Sequence, residues 1–232
     1  MTLLSPTPYQ LLIFDWDGTL MDSGAYIVDC VKKAATDKQY ALPSDEAIRN
    51  IIGLSMPIGL QSLFPNMNDD DCSDLLARYR EHFFGNNPRP IDLFPHTYDT
   101  LGHLRDIGFL LCVATGKGRH GLNLDLQASQ LGSFFVATRC ADESASKPSP
   151  QMVLELLEEM DISPDKALVI GDTEYDIQMA NRAGVEGLGV TYGMHDRARL
   201  LESGAKACID DITQLPIWLE TLNKERKTHD NR

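Results

Sequence analysis

The sequence predicts an α/β fold, a Rossmann-like parallel sheet core carrying an inserted α-helical segment, and three observations support it. Short apolar runs recur along the chain and each stops abruptly at polar residues. Stretches with apolar residues at helical spacing lie between most of them. Only 22–87 break the alternation, holding helical patterns and no convincing strand. Short apolar runs bounded by turn signals suit strands buried on both faces, and helices between them supply the crossovers that parallel strands need.

Taken in order, 10–14 (QLLIF) is the first strand, ending at Asp15. In 22–87 the spacing predicts a helix over 25–38 and another over 44–52, opened by a Ser cap and two acids. A third spans 57–64, with proline in its first turn, and a fourth 69–84, behind an Asn-Asp cap. GNNPRP (85–90) is a turn-rich exit. A helix over 96–107 places Tyr98, Leu101, Leu104 and Ile107 on one face; one over 151–160 does the same with Met152, Val153, Leu156, Leu157 and Met160. Further strands are expected at 109–114 (FLLCVA), 167–170 (ALVI) and 185–190 (VEGLGV), with shorter candidates at 134–137 (FFVA) and 207–209. The polar tail NKERKTHDNR is expected to fray. The division that follows is a core of 1–21 and 88–232, with 22–87 inserted after the first strand.

Composition narrows the function. At 43% hydrophobic and 24% charged residues, 232 residues form one good-sized domain or a domain with an insertion. A net charge of −13 repels a polyphosphate backbone, so no nucleic-acid partner is expected, and any phosphate site must create its own positive field. Five cysteines, none in a C-x-x-C pair, argue against a disulfide framework or a zinc site. The start MTLLSPTPYQ lacks a signal-peptide pattern, and no apolar stretch approaches the roughly 20 residues that span a bilayer. A cytoplasmic protein without a membrane partner, monomeric or weakly dimeric, is expected.

Ligands of open parallel sheets bind at the carboxyl ends of the strands, and four strand ends here carry polar residues. The first gives Asp15 and Asp17, two carboxylates two residues apart that can point into one site, followed by Gly18. One carboxylate can attack phosphorus, and the second can protonate a leaving oxygen and later deprotonate water. A capped turn accounts for the pair almost as well. The second end gives Thr115, Gly116 and Lys117, whose hydroxyl and glycine N–H can donate to phosphate or simply open a helix. The third gives Lys147 before a proline, a point charge for phosphate or a solvated lysine. The fourth gives Asp172 and Asp176, hard oxygen ligands suited to Mg²⁺; helix capping would explain Asp172 well and Asp176 poorly. Each signal alone is moderate, but their order along the chain is hard to obtain by chance.

With these motifs the chain resembles a haloacid dehalogenase superfamily phosphohydrolase with a small helical cap, near the phosphoglycolate phosphatases. The resemblance runs from FDWDGTLMDS (14–23) through VATGK (113–117) and SKPSP (146–150) to VIGDTEYDIQMANRAG (169–184). It implies Asp15 as nucleophile and Asp17 as acid and base, with phosphate held by Thr115, Gly116, Lys117 and Lys147. It implies Mg²⁺ on Asp15, Asp172 and the main-chain carbonyl of Asp17, supported by Asp176, and a mobile cap over 22–87. The activity it implies is phosphomonoester hydrolysis of a small organic or sugar phosphate, phosphoglycolate among the candidates.

Departures from the family pattern are Trp16, expected to point away from phosphate, and His96 and His120, read as helix-start residues rather than bases. A β-phosphoglucomutase-like sugar phosphomutase is the alternative, and Met56 after Gly53-Leu54-Ser55, where mutases place a basic residue, tilts the reading to hydrolase. A phosphoacceptor receiver module has about half this length and no helical insertion, and a dehalogenase lacks the Asp17 equivalent. In the cap, Ile52, Leu54, Ser55 and Met56 are the specificity candidates, and Arg49 is expected on the surface in a salt bridge.

Overall fold

The structure, a computed structural model, describes residues 7–85 and 92–230, with side chains as far as 222. The exit turn beyond Gly85, the 87/88 division, the first six residues and the last two of the polar tail lie outside the described residues.

The chain begins with β1 (Leu11–Phe14) and continues through α1 (Gly24–Asp37), α2 (Asp45–Arg49), α3 (Met56–Leu63) and α4 (Asp69–Phe84). Then α5 (Thr97–Asp106) leads to β2 (Leu110–Thr115), α6 (Arg119–Ser129), β3 (Ala137–Cys140) and α7 (Gln151–Met160). The remainder is β4 (Ala167–Gly171), α8 (Glu174–Arg182), β5 (Glu186–Val190), α9 (Arg197–Glu202), β6 (Ala207–Ile209) and α10 (Gln214–Asp230).

The six strands form one sheet in the order β3-β2-β1-β4-β5-β6, every pairing parallel. β1 lies between β2 and β4, with Phe14 opposite Val113 and Ile170. The chain leaves β1 toward one edge and later returns to build the other, so the crevice at its carboxyl end is where a ligand enters such a sheet. Asp15, Gly116 and Asp172 follow three adjacent strands and are neighbours there.

Side-chain alternation divides β1 between two cores. Leu12 and Phe14 pack with Leu111, Val113, Leu168 and Ile170 against Leu101 and Leu104 of α5 and Leu215 and Leu219 of α10. Leu11 and Ile13 pack with Cys112 and Val169 against Met152, Val153 and Leu156 of α7 and Met179 of α8. A third cluster joins α1 to α4, with Ile27, Val31, Ile48, Leu60, Leu75, Tyr79 and Phe83 at its centre. The cap signals act as the sequence suggests: Ser44 accepts from the Ala47 amide and Asn68 from the Asp71 amide.

Three expectations need correction. The strand expected at 134–137 lies later: Gly132–Phe134 is a 3₁₀ turn and Ala137–Cys140 pairs with β2. β3 is an edge strand whose Arg139 reaches Glu155 and Glu159 of α7, so its composition carries no apolar run. Tyr98 is 47% exposed, lying edge-on to Phe134, while Thr97, Leu101 and Leu104 face inward. The helix expected over 44–52 ends at Arg49, because the chain turns through Gly53 at φ +102° and bridges Ile52 to Leu54.

Candidate active site

Asp15 continues the edge of β1, its amide donating to the Ile170 carbonyl at 2.9 Å, so the sheet itself holds this carboxylate. The chain then turns tightly, the Gly18 amide donating to the Met21 carbonyl. Gly18 has φ +91°, and a Cβ there would fall 2.2 Å from Asp172 Oδ2; only glycine lets the turn lie against the acid after β4.

Lys147 is buried between two carboxylates, its Nζ 2.5 Å from Asp15 Oδ1 and 2.6 Å from Asp176 Oδ1. Burial alone would pull the ammonium pKa down, but the two negative charges outweigh it and leave it raised. Asp15 is pushed up to about 7, by burial first; Lys147 opposes the shift, and Asp176 and Asp17 add to it. Asp172 lies well above the usual carboxylate range for the same reason, burial first and then the charges of Asp15 and Asp176. It accepts from the Met194 amide at 2.8 Å and from Thr19 Oγ1 at 2.9 Å.

The capping expectation is reversed. Thr173 is the N-cap of α8, and Asp176 accepts from its amide at 3.0 Å and its hydroxyl at 2.7 Å in a capping box. Capping therefore accounts for Asp176, which also serves Lys147, while Asp172 sits just before the cap and faces Asp15.

Oxygen atoms of Asp15, Asp172 and Asp176 lie within 4.8 Å of one another, all three residues buried. Asp15 Oδ2 is buried without a hydrogen-bond partner. Three crowded acids with one lysine and an orphaned oxygen fit a hard divalent cation, which would satisfy that oxygen and relieve the repulsion. The Asp17 side chain is outside this group.

Asp17 is instead held by Lys117, whose Nζ lies 2.8 Å from Oδ2 and 2.9 Å from Oδ1, and by Ser23, whose hydroxyl donates at 2.6 Å. Lys117, expected on phosphate, is thus engaged with the second aspartate; it also reaches Asp125 Oδ2 at 3.6 Å. The Trp16 indole is buried away from the crevice and donates to the same Asp125 oxygen at 2.9 Å. Thr115 and Gly116 line the crevice beside Asp15. His96 is the N-cap of α5 at φ 64° and His120 lies in the first turn of α6, both as read; His120 also reaches the crevice rim, edge-on to Phe84. Arg49, expected in a salt bridge, has no acidic partner among the described residues; its Nη1 lies 3.9 Å from Met194 Sδ.

A cavity of ≈ 520 Å³ separates these strand ends from the helices of 24–84. Ile52, Leu54, Ser55 and Met56 line it as expected, but so do Tyr79, Arg80, Phe83 and Phe84 of α4, which the sequence did not single out. The two sides are tied by the Ser55 amide donating to Ser146 Oγ at 2.9 Å and Tyr175 donating to the Asn50 carbonyl at 2.9 Å. Ser23, Ser146 and Asp125 were also missed, because single polar residues on helices and loops carry no signal until the chain is folded.

Residues 12–190 match the family described as haloacid dehalogenase-like hydrolase. The chain is similar to pyrophosphatase PpaX of Oceanobacillus iheyensis, 27% identical over 208 residues, 89% of this chain and 94% of that one. It is similar also to the protein of Dickeya dadantii named probable phosphatase IndB, 29% identical over 209 residues, 88% of this chain and 91% of that one. Among solved structures, a hydrolase from Pseudomonas syringae shares the fold at a TM-score of 0.82 and 26% identity, over 91% of this chain and 98% of that one.

Proposed function

The chain belongs to the haloacid dehalogenase-like hydrolases, as a phosphatase-type enzyme, and from that premise we propose that it is a Mg²⁺-dependent phosphomonoesterase using Asp15 as nucleophile. The observation that carries this reading is the buried Asp15: one oxygen is held by Lys147 and the other has no hydrogen-bond partner. A lone pair on an Asp15 carboxylate oxygen forms the new bond to phosphorus as the bond to the leaving oxygen breaks. Asp17 gives its proton to the leaving oxygen, and the alcohol departs. The Asp17 carboxylate then takes a proton from water, whose oxygen attacks the aspartyl-phosphate, frees Asp15 and releases inorganic phosphate.

The Thr115 hydroxyl and the Gly116 amide donate to the transferring phosphoryl oxygens, and Lys147 offsets their charge. Lys117 and Ser23 keep Asp17 aimed at the crevice. Asp15, Asp172 and the Asp17 carbonyl, supported by Asp176, would hold Mg²⁺, which when bound would supply further positive charge against the phosphoryl group. In the same reading 1–21 and 88–232 form the catalytic unit, 22–87 is a cap that excludes water, and the substrate is a small phosphorylated metabolite met in the cytoplasm.

Replacing Asp15 with Asn tests the proposal. Phosphate release from a panel of monoesters, with and without Mg²⁺, is expected to vanish while circular dichroism and melting show an intact fold. Near-normal turnover would sink it. Isomerised sugar phosphate without free phosphate would point to the mutase instead.

A further inference from the structure

The wall of the cavity facing the aspartates has a definite chemistry. α4 presents Leu76, Tyr79, Arg80 and Phe83 to it at helical spacing, and Phe84 closes the row. The Tyr79 and Phe83 rings stack at 5.4 Å, and Phe84 lies edge-on to Phe83 at 5.0 Å and to His120 at 4.9 Å. Ile27 and Ile52 extend the apolar surface. Phe84 is 38% exposed, a large ring left open at the mouth.

Most of the polar groups converge at one end. Asp15, Asp17, Thr115 and Gly116 serve the phosphoryl group, and the Lys117 ammonium is committed to Asp17, 4.8 Å above the Phe83 ring. Among the described residues, the opposite wall offers a second anion only Arg80, an exposed residue. A sugar would bring hydroxyls against the Phe83 and Phe84 rings, which cannot pair with them, and an unpaired buried polar group is costly. A cavity of ≈ 520 Å³ falls within the roughly 300–1,000 Å³ that holds ligands of many atoms, and a two-carbon leaving group would leave the open Phe84 ring in contact with water.

We propose that the substrate is a phosphomonoester of an alcohol with an aromatic or bulky apolar body, which packs against Phe84, the open ring in front of the buried Tyr79 and Phe83. This inference rests on the phosphatase reading and sharpens it: the aspartates supply the reaction, and α4 chooses the leaving group. Apolar contact adds about four-fold in selectivity per buried methylene, so chain length is the variable to follow.

Esters of primary alcohols differ little in leaving-group reactivity, so a series isolates contact from chemistry. We would measure kcat/KM with Mg²⁺ for ethyl, butyl and 3-phenylpropyl phosphate, beside phosphoglycolate, glucose 6-phosphate and pyrophosphate. The ratio of 3-phenylpropyl to ethyl phosphate is expected to reach at least about thirty-fold. Phe84→Ala, at an exposed position that folding tolerates, is expected to cut that ratio several-fold. A flat series, or phosphoglycolate, glucose 6-phosphate or pyrophosphate turned over faster than 3-phenylpropyl phosphate, overturns the inference while the phosphatase reading stands. No phosphate from any of the six overturns the reading beneath it.

Discussion

A Cβ on Gly116 would lie 2.5 Å from the carbonyl oxygen of Gly53 and 2.6 Å from that of Leu54, so the turn after α2 rests directly on the loop after β2. Both contacts are backbone, which cannot swing aside as a flexible side chain would. The helical segment thus lies against the loop proposed to bind phosphate, an approach open only because position 116 has no side chain.

Gly116→Ala should therefore separate closure from folding. The methyl group pushes the 53–54 turn off the core, so kcat/KM is expected to fall at least about ten-fold with a melting temperature within a few degrees of the parent. Parallel phosphate-release assays and thermal melts check this; unchanged kinetics would show that the close approach does not matter to catalysis.

Lys147→Met leaves Asp15 and Asp176 buried without their shared cation. Breaking a buried pair by removing one partner costs about 3–5 kcal/mol, and the urea midpoint should fall accordingly. Adding Asp15→Asn removes one orphaned charge, so the double variant is expected to recover part of the loss. A double variant less stable than Lys147→Met would contradict this account.

Crowding of Asp15, Asp172 and Asp176 predicts a metal dependence of stability as well as activity. Chelation by EDTA should abolish phosphate release, and Mg²⁺ should restore it and raise the melting temperature. Asp172→Asn should raise the metal-free melting temperature, since it deletes a carboxylate disfavoured by burial, and should eliminate the Mg²⁺-induced rise. Retention of that rise would place the ion elsewhere.

Burial pushes the Cys112 and Cys140 thiols up to about 12 from an ordinary value of 9.0. Between those values the unfolded chain loses these protons and the folded chain keeps them. The stabilisation is thus fully present below pH 9 and is lost as pH rises toward 12, about 1 kcal/mol per thiol between pH 9 and 10. Urea titrations at both pH values should show this, and Cys112→Ala/Cys140→Ala should flatten it. Neither thiol should react with iodoacetamide in the folded protein at pH 8.

The strand at 137–140 and the end of the second helix at Arg49 show where sequence reasoning stops. Ser44 and Asn68 caps, the proline in the first turn of α3 and the apolar run of β1 all act through near neighbours in the chain, so they are legible before folding. β3 owes its place to hydrogen bonds with β2 and to ion pairs from Arg139 to α7, partners its own residues do not reveal.

The same division holds for the site. The residue types and order of Asp15, Asp17, Thr115, Gly116, Lys147, Asp172 and Asp176 were determined by the sequence; the clusters at Asp15, Thr115 and Asp172 close adjacent parallel strands, which bring such ends together, while Lys147 comes from the loop between β3 and α7. Only the tertiary structure decided that Lys117 pairs with Asp17, that Trp16 holds Asp125, and that α4 lines the crevice with aromatic rings. Those pairings join residues up to 109 positions apart, and their partners are chosen by strand order and by the packing of the helical segment, which no local pattern encodes.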